Sequence, residues 1–355
     1  MTNGQAARQS AGASFPRVVE TISAQGCSIV LRRMAGPLAR EIFLHCQPPV
    51  VGDADPLRQA TAVYRAILAV LEAEGGGFGS VVVETVFLRQ LQEDLETVRA
   101  ARREVLAACD APDHRPATLE IEQPPSEERA CLEVSVHAVL PGGSPLRLLP
   151  VAATSACGCA ECVSTHGQRV ELGDESRFHA AGLCGPGDDA YEQTLGMFGL
   201  AESLLQKAGM EFRDVVRTWI HLRHMDRDYA ALNRARREFF AARGIEPVPA
   251  STGIGGGPVS ATHDLCLGVY AVRGARPLVR TVMRSPTLNE ASEYGADFVR
   301  GMRVEEANKV TLHVSGTASV DEHGRTAHPG ELDAQVDRML VNIAALLAGQ
   351  GASFA

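Results

Sequence analysis

Arginine on an apolar strand is the first residue of chemical interest in this chain. Arg217 follows Val215 and Val216 and precedes Trp219, the only tryptophan. Strand alternation puts Arg217 and Trp219 on one face and Thr218 on the other. Such an arginine either points into a cleft or aims at solvent, and in a cleft its planar guanidinium suits a carboxylate. Tyr294, Phe298 and Arg300 form a second aromatic and cationic group on a connecting segment, which either lines a site or straps two parts together. Thr252 opens a glycine-rich stretch through Gly257, either an anion-binding run of backbone N–H groups or a turn with close backbone approach. Ser315, Gly316 and Thr317 are small enough to admit a ligand against a strand, or to form a bulge.

A separate cluster holds Cys157, Cys159, Cys162 and His166. Three thiols and an imidazole match a zinc site of the Cys₃His type. The same spacing also fits a reduced-thiol linker or a redox pair. Arg227, Arg234, Arg236, Arg237 and Arg243 form a basic helix face, read here as solvated and paired with Asp228 and Glu238.

The elements that must hold these residues repeat three times. Gln59, Gln193 and Gln335 are each followed nineteen residues later by Phe78, Phe212 and Phe354. Between them, Val63, Ile67 and Val70, then Met197, Ala201 and Leu204, then Met339, Ile343 and Leu346 form one apolar helix face. A glycine precedes each Phe, as at a helix C-terminus. Val81–Leu88 and Val215–Leu222 read as buried strands, followed by helices over about 91–108 and 229–243. Strands over 116–121 and 130–136, and over 265–272, close the first two copies. The third copy has strands over 310–314 and 317–320 and a helix over 331–349. It stops one residue after Phe354, about 60 residues short by repeat logic.

The organisation expected is a disordered leader over 1–15, unit one over 16–140, a Cys/Gly/Pro linker over 141–173 and unit two over 174–280. A connecting segment and the first half of unit three occupy 281–355. The fold class expected is α+β, three tandem units with mixed sheets and helices on one face, the third truncated. Hydrophobic residues at 45% and charged residues at 22% fit a globular chain rather than disorder. Net charge −9 disfavours nucleic acid and membrane surfaces as partners. No run of about 18 apolar residues predicts a membrane span. The N-terminus lacks the basic start and apolar core of a signal peptide. With nine cysteines, an odd number, this predicts reduced thiols in the cytoplasm.

Several motifs give the chain a family resemblance. Gly182-Leu183-Cys184-Gly185, Glu192-Gln193-Thr194, Val216-Arg217-Thr218 and Pro249-Ala250-Ser251 resemble the RidA/YjgF superfamily, as do His313 to Ala318 with Gln335 and Asn342-Ile343. Residues 177–355 are similar to its chorismatase branch, through Arg217-Thr218-Trp219, Pro249 to Gly255, Glu293-Tyr294-Gly295 with Phe298 and Arg300, and Ser315 to Ser319. The resemblance implies chorismate-mutase-like units and a site in a cleft between units two and three. It implies a pyruvate-releasing lyase or hydrolase acting on chorismate or a related small cyclic carboxylate, without a cofactor. Arg217 and Arg300 would clamp carboxylates, Trp219, Tyr294 and Phe298 would form walls, and Ser315, Gly316 and Thr317 would back the ligand beside Thr252. The family's catalytic acid lies in a stretch this chain lacks, so the acid is expected beyond Ala355. Imine-hydrolysing relatives carry an arginine directly after the Pro-Ala step, where this chain has Thr118 and Ser251. That departure argues against an enamine or imine deaminase, the alternative activity. A non-catalytic metabolite-binding or assembly protein is the third reading. The assembly implied is a pseudo-trimer within one chain, or a homo-oligomer.

Overall fold

The repeated helix starts where the sequence supplies a cap. Asp55 accepts a hydrogen bond from the Arg58 backbone N–H at 3.1 Å, and Pro56 takes the first helical position. Asp189 accepts from the Glu192 N–H at 2.9 Å. Both side chains satisfy a donor that the helix itself leaves free. This computed structural model describes residues 17–50, 52, 54–153 and 165–354. The expected leader over 1–15 lies outside the described residues.

Unit one runs β1 (Arg17–Ala24), β2 (Cys27–Ala35), β3 (Ala39–Gln47), α1 (Pro56–Ala73), β4 (Val81–Leu88), α2 (Leu91–Leu106), β5 (Ala117–Glu122) and β6 (Leu132–Pro141). Unit two runs β7 (Leu146–Ala153), β8 (Thr165–Leu172), β9 (Glu175–Leu183), α3 (Ala190–Lys207), β10 (Val215–Leu222), α4 (Met225–Arg243), β11 (Ala250–Gly255), β12 (Gly257–Pro258) and β13 (Leu265–Gly274). Unit three has β14 (Arg280–Met283), β15 (Gly301–Glu305), β16 (Val310–Val314) and α5 (Leu332–Ala348).

The strand orders are β1-β2-β3-β6-β4-β5-β12, β11-β10-β13-β9-β8-β7 and β14-β15-β16. The β4–β5 and β10–β11 pairs are parallel and their other neighbours antiparallel, so the two large sheets are mixed. Each packs its helices over one apolar core, with Val63, Ile67 and Phe78 in the first and Met197, Leu204 and Phe212 in the second.

The repeated glutamine has a structural reason. Gln59 donates to the Arg129 carbonyl at 2.9 Å and accepts from the Cys131 N–H at 2.8 Å, tying α1 to the entry of β6. Gln193 accepts from the Asp264 N–H at 2.9 Å and ties α3 to the entry of β13. In unit three Gln335 instead donates to His328, and Phe354 is 53% exposed where Phe78 and Phe212 are buried.

Two expectations need correction. The segment 141–173, read as a linker, contains β7 and β8, which extend the second sheet as β1 and β2 extend the first. These strands lie at the sheet's outer side, where Arg147, Arg169 and Glu171 interrupt the apolar pattern and Pro150 sits on the edge strand. Residues 317–320 form no strand: the Ala318 and Val320 carbonyls accept from Asn342 of α5 at 3.2 and 3.0 Å, and Val320 makes an isolated bridge to Thr326.

Each pair of units touches. β12 crosses to β5, and the Val299 N–H donates to Pro249 at 3.3 Å. Asn308 accepts from the Leu38 and Ala39 N–H groups at 2.9 and 3.1 Å. Where all three meet, the buried Arg177 of unit two reaches Glu41 at 2.8 Å, Glu175 at 2.7 Å and Glu306 at 3.0 Å. Lys309 and His137 also reach Glu41, at 2.6 and 3.0 Å, and Asn308 Nδ2 donates to it at 3.5 Å. Among the described residues, no helix is long and apolar enough to cross a membrane.

Candidate functional site

β11 is the element on which the site depends. It ends the second sheet, so one side of the strand faces unit three rather than another strand of its own unit. The Ser251 N–H donates to Ser315 Oγ at 2.9 Å, and Ser315 donates to the Val299 carbonyl. Gly316 packs beside Thr252 so closely that a Cβ would lie 3.0 Å from Thr252 Cγ2. These contacts close the floor of a seam. Above it opens a cavity of about 1060 Å³ between α4, β11 and the unit three segment.

Two guanidinium groups dominate its walls. Arg236 of α4 is only 3% exposed and Arg300 only 4%. Arg236 Nη2 donates to Asn233 Oδ1 at 2.5 Å and Nη1 to Ser251 Oγ at 3.3 Å. Its Nε has no hydrogen-bond partner among the described residues. Arg300 donates to the Asn289 carbonyl at 2.7 Å, Asn289 Oδ1 at 3.0 Å and the Tyr294 hydroxyl at 3.1 Å. None of these partners is a carboxylate. A guanidinium has five N–H donors, so donors remain on both for a ligand. Burial pushes the pKa of Arg236 down, as expected of a cation removed from water without a paired anion.

The aromatic residues sit between the cations. The Arg236 and Arg300 guanidinium carbons lie 5.3 and 5.7 Å from the Phe298 ring centroid, and Arg300 lies 5.3 Å from that of Tyr294. Cation–π attraction holds both charges against this wall but does not neutralise them. Burial keeps the Tyr294 phenol protonated beyond its ordinary range, against the opposing pull of Arg300. At the rim, Arg237 pairs with Asp297 at 3.0 Å.

Of the residues singled out by sequence, Thr252, Tyr294, Phe298, Arg300, Gly316 and Thr317 lie on the cavity wall. Arg217, Trp219 and Ser315 are not on this wall, and Nη1 of Arg217 is buried with no hydrogen-bond partner among the described residues. Arg217 donates to Thr252 Oγ1, sits 4.9 Å from the Trp219 ring, and burial lowers its pKa to about 10. Trp219 packs on the apolar cluster of Val216, Ala250, Tyr270, Val272, Met302 and Val304 between the second and third sheets. Strand alternation sends Arg217 and Trp219 to that face, and Thr218 toward Ser251 and Arg236.

Arg236 is the residue that sequence reading missed. Its run of arginines reads as a solvated face, and Arg227 and Arg243 fit that reading by pairing with Asp228 at 2.7 Å and Glu202 at 2.6 Å, whereas Arg234 and Arg237 border the cavity. Its helix position relative to the apolar Leu232, Phe239 and Phe240 was the available signal. In the glycine-rich run, Gly253 borders this cavity and the Gly257–Pro258 strand pairs with β5 of unit one. A Cβ on Gly257 would lie 2.7 Å from Arg223 Nη1. Cys157, Cys159 and Cys162 lie outside the described residues. His166 lies in β8 and lines a smaller cavity between units one and two. Among the described residues, no group of three metal-ligating side chains occurs.

A crystal structure of chorismatase superposes with TM-score 0.51 at 16% identity, covering 76% of this chain and 72% of that one. A YjgF-family protein from Neisseria meningitidis matches at 20% identity and TM-score 0.29, covering 38% of this chain and 98% of its own. A YjgF/YER057c/UK114 family member from Mycobacterium tuberculosis matches at 21% identity and TM-score 0.28, covering 35% and 98%. No protein-family model and no curated protein matches the sequence. The chain therefore has the chorismatase fold, an α+β architecture of tandem chorismate-mutase-like units with mixed sheets.

Proposed function

We propose that the cavity between units two and three binds a small cyclic carboxylate, chorismate or a close analogue, and cleaves its enolpyruvyl ether. The observation that carries this reading is a pair of buried guanidinium groups, Arg236 and Arg300, facing one cavity with neutral partners only. A buried cation without an anion is costly, and a dianionic ligand offsets that cost at both arginines. Tyr294 and Phe298 offer a wall for a ring. The likeness to the chorismatase fold supports the same reading at the level of architecture.

The chemistry follows from the ligand. Protonation of the enolpyruvyl methylene carbon makes the ether carbon electrophilic, water adds there, and the C–O bond breaks to give pyruvate and a ring hydroxyl. Guanidinium groups that fix the carboxylates hold the enolpyruvyl ether in one orientation for this step, which is a contribution of positioning. We assign the binding part of this reaction to Arg236 and Arg300, with Thr252 and Thr317 beside them on the wall.

A deaminase of enamines or imines is the second reading. It is favoured by the 3.3 Å contact that brings Arg236 to Ser251, the strand position where imine-hydrolysing relatives keep their arginine. One pair of assays separates the readings. The full chain is incubated with chorismate, then with 2-aminoacrylate generated in situ, and pyruvate is followed. Release from chorismate that drops at least tenfold in Arg236→Ala and Arg300→Ala is the expected result. Turnover of the imine alone selects the second reading. Silence on both substrates, with ligand still bound, identifies a metabolite-binding protein.

A further inference from the structure

We infer that the crevice between units one and two is a second carboxylate site, closed in this chain by its own Glu84. The inference rests on reading the other crevice as a carboxylate site. Its starting point is the repeat. Glu84 pairs with Thr118 across β4 and β5, and Thr218 pairs with Ser251 across β10 and β11. Arg102 follows Glu84 by eighteen residues, and Arg236 follows Thr218 by the same interval. Tyr64 precedes Glu84 by twenty residues, as Phe198 precedes Thr218. The two constellations are the same place in two copies of one unit.

Their charges differ. Glu84 is fully buried and accepts from Arg102 Nε at 3.0 Å, Arg102 Nη2 at 2.8 Å and the Tyr64 hydroxyl at 2.9 Å. Arg102 is thereby neutralised from within. In unit two Thr218 stands in place of Glu84 and donates to Ser251 Oγ at 2.8 Å, and Phe198 cannot donate at all. Arg236 is left without a carboxylate. Burial opposes the charge on both arginines, yet Glu84 holds the pKa of Arg102 above its usual range while that of Arg236 falls below it.

The surroundings match in part, although Arg103 and Arg115 also line the unit one and two crevice and no Tyr or Phe among the described residues does. Arg102 and Thr118 line a cavity of about 380 Å³, as Arg236 and Ser251 line the larger one. Arg99, also on that wall, is closed by Glu120 at 2.9 Å. Glu84 therefore supplies in one seam the negative charge that a ligand must supply in the other. Removing it while keeping Arg102 recreates a buried cation in search of an anion.

The test uses the full chain and isophthalate, an unreactive cyclic dicarboxylate, in titration calorimetry. Glu84→Thr with Tyr64→Phe copies the unit two constellation into unit one. We expect it to add one equivalent of bound isophthalate, which disappears again when Arg102→Ala is included. A folded double variant with no added equivalent overturns the inference. Should that variant fail to fold, Thr218→Glu decides, because it installs the closing carboxylate beside Arg236. Its affinity at the unit two and three crevice should fall at least tenfold, and an unchanged affinity overturns the inference. Wild-type protein that binds no isophthalate contradicts the proposed function, whereas the added equivalent in the double variant still reports on Glu84 alone.

Discussion

Arg236 and Arg217 meet surroundings that their sequence contexts do not suggest. Arg217 stands out because it interrupts an apolar strand, yet alternation sends it to the face between two sheets, against Trp219. Arg236 sits among exposed arginines, of which Arg234 and Arg237 also border the cavity, but it alone of these is buried there. Residue type was legible in both cases, but the direction of the side chain depended on packing that no local pattern encodes. Thr252, Tyr294, Phe298 and Arg300 were legible because aromatic and cationic side chains on connecting segments meet at clefts. At the same scale, burial lowers the pKa of His221 to about 4, and its Nδ1 has no partner among the described residues. The unfolded chain therefore takes up this proton first as pH falls from about 6.5. Stability from this group is complete above that value and erodes toward pH 4. His221→Gln should give a shallower fall in urea midpoint between pH 7 and 4, and an unchanged slope would contradict this assignment.

Elements were more legible than side chains. Val81–Leu88, Val215–Leu222 and Val310–Val314 form strands with the bounds expected of continuous apolar runs. β7 and β8 do not read as continuous apolar runs, because Arg147 and Pro150 interrupt the first and Gln168, Arg169 and Glu171 the second. The repeated glutamine was visible as a spacing, but its purpose is a long-range bond from helix to closing strand. Helix caps carry a measurable share of the stability here. Asp189→Ala leaves the Glu192 N–H without its side-chain acceptor. The expected loss is about 1 kcal/mol in chemical denaturation, with the cavity's ligand affinity unchanged.

For the whole molecule, the central fact is that three units meet around buried charge. Arg177 contacts three carboxylates contributed by all three units, and no sequence window contains more than two of the partners. Such a junction is invisible to periodicity. Arg177→Met keeps the volume but leaves Glu41, Glu175 and Glu306 without their shared cation. The expected cost is about 3–5 kcal/mol of stability, read as a lower denaturation midpoint, and a near-neutral result would show that the junction tolerates its own negative charge. The seam between units two and three depends on this junction, since the same packing that buries Arg177 sets unit three against β11.

A crystal structure of the full chain with chorismate or isophthalate bound addresses the seam directly. The account predicts carboxylate oxygens within about 3 Å of Arg236 and Arg300 nitrogens, with the ring against Phe298. A ligand seated elsewhere, with both guanidinium groups still bonded only to Asn233, Ser251, Asn289 and Tyr294, would contradict it.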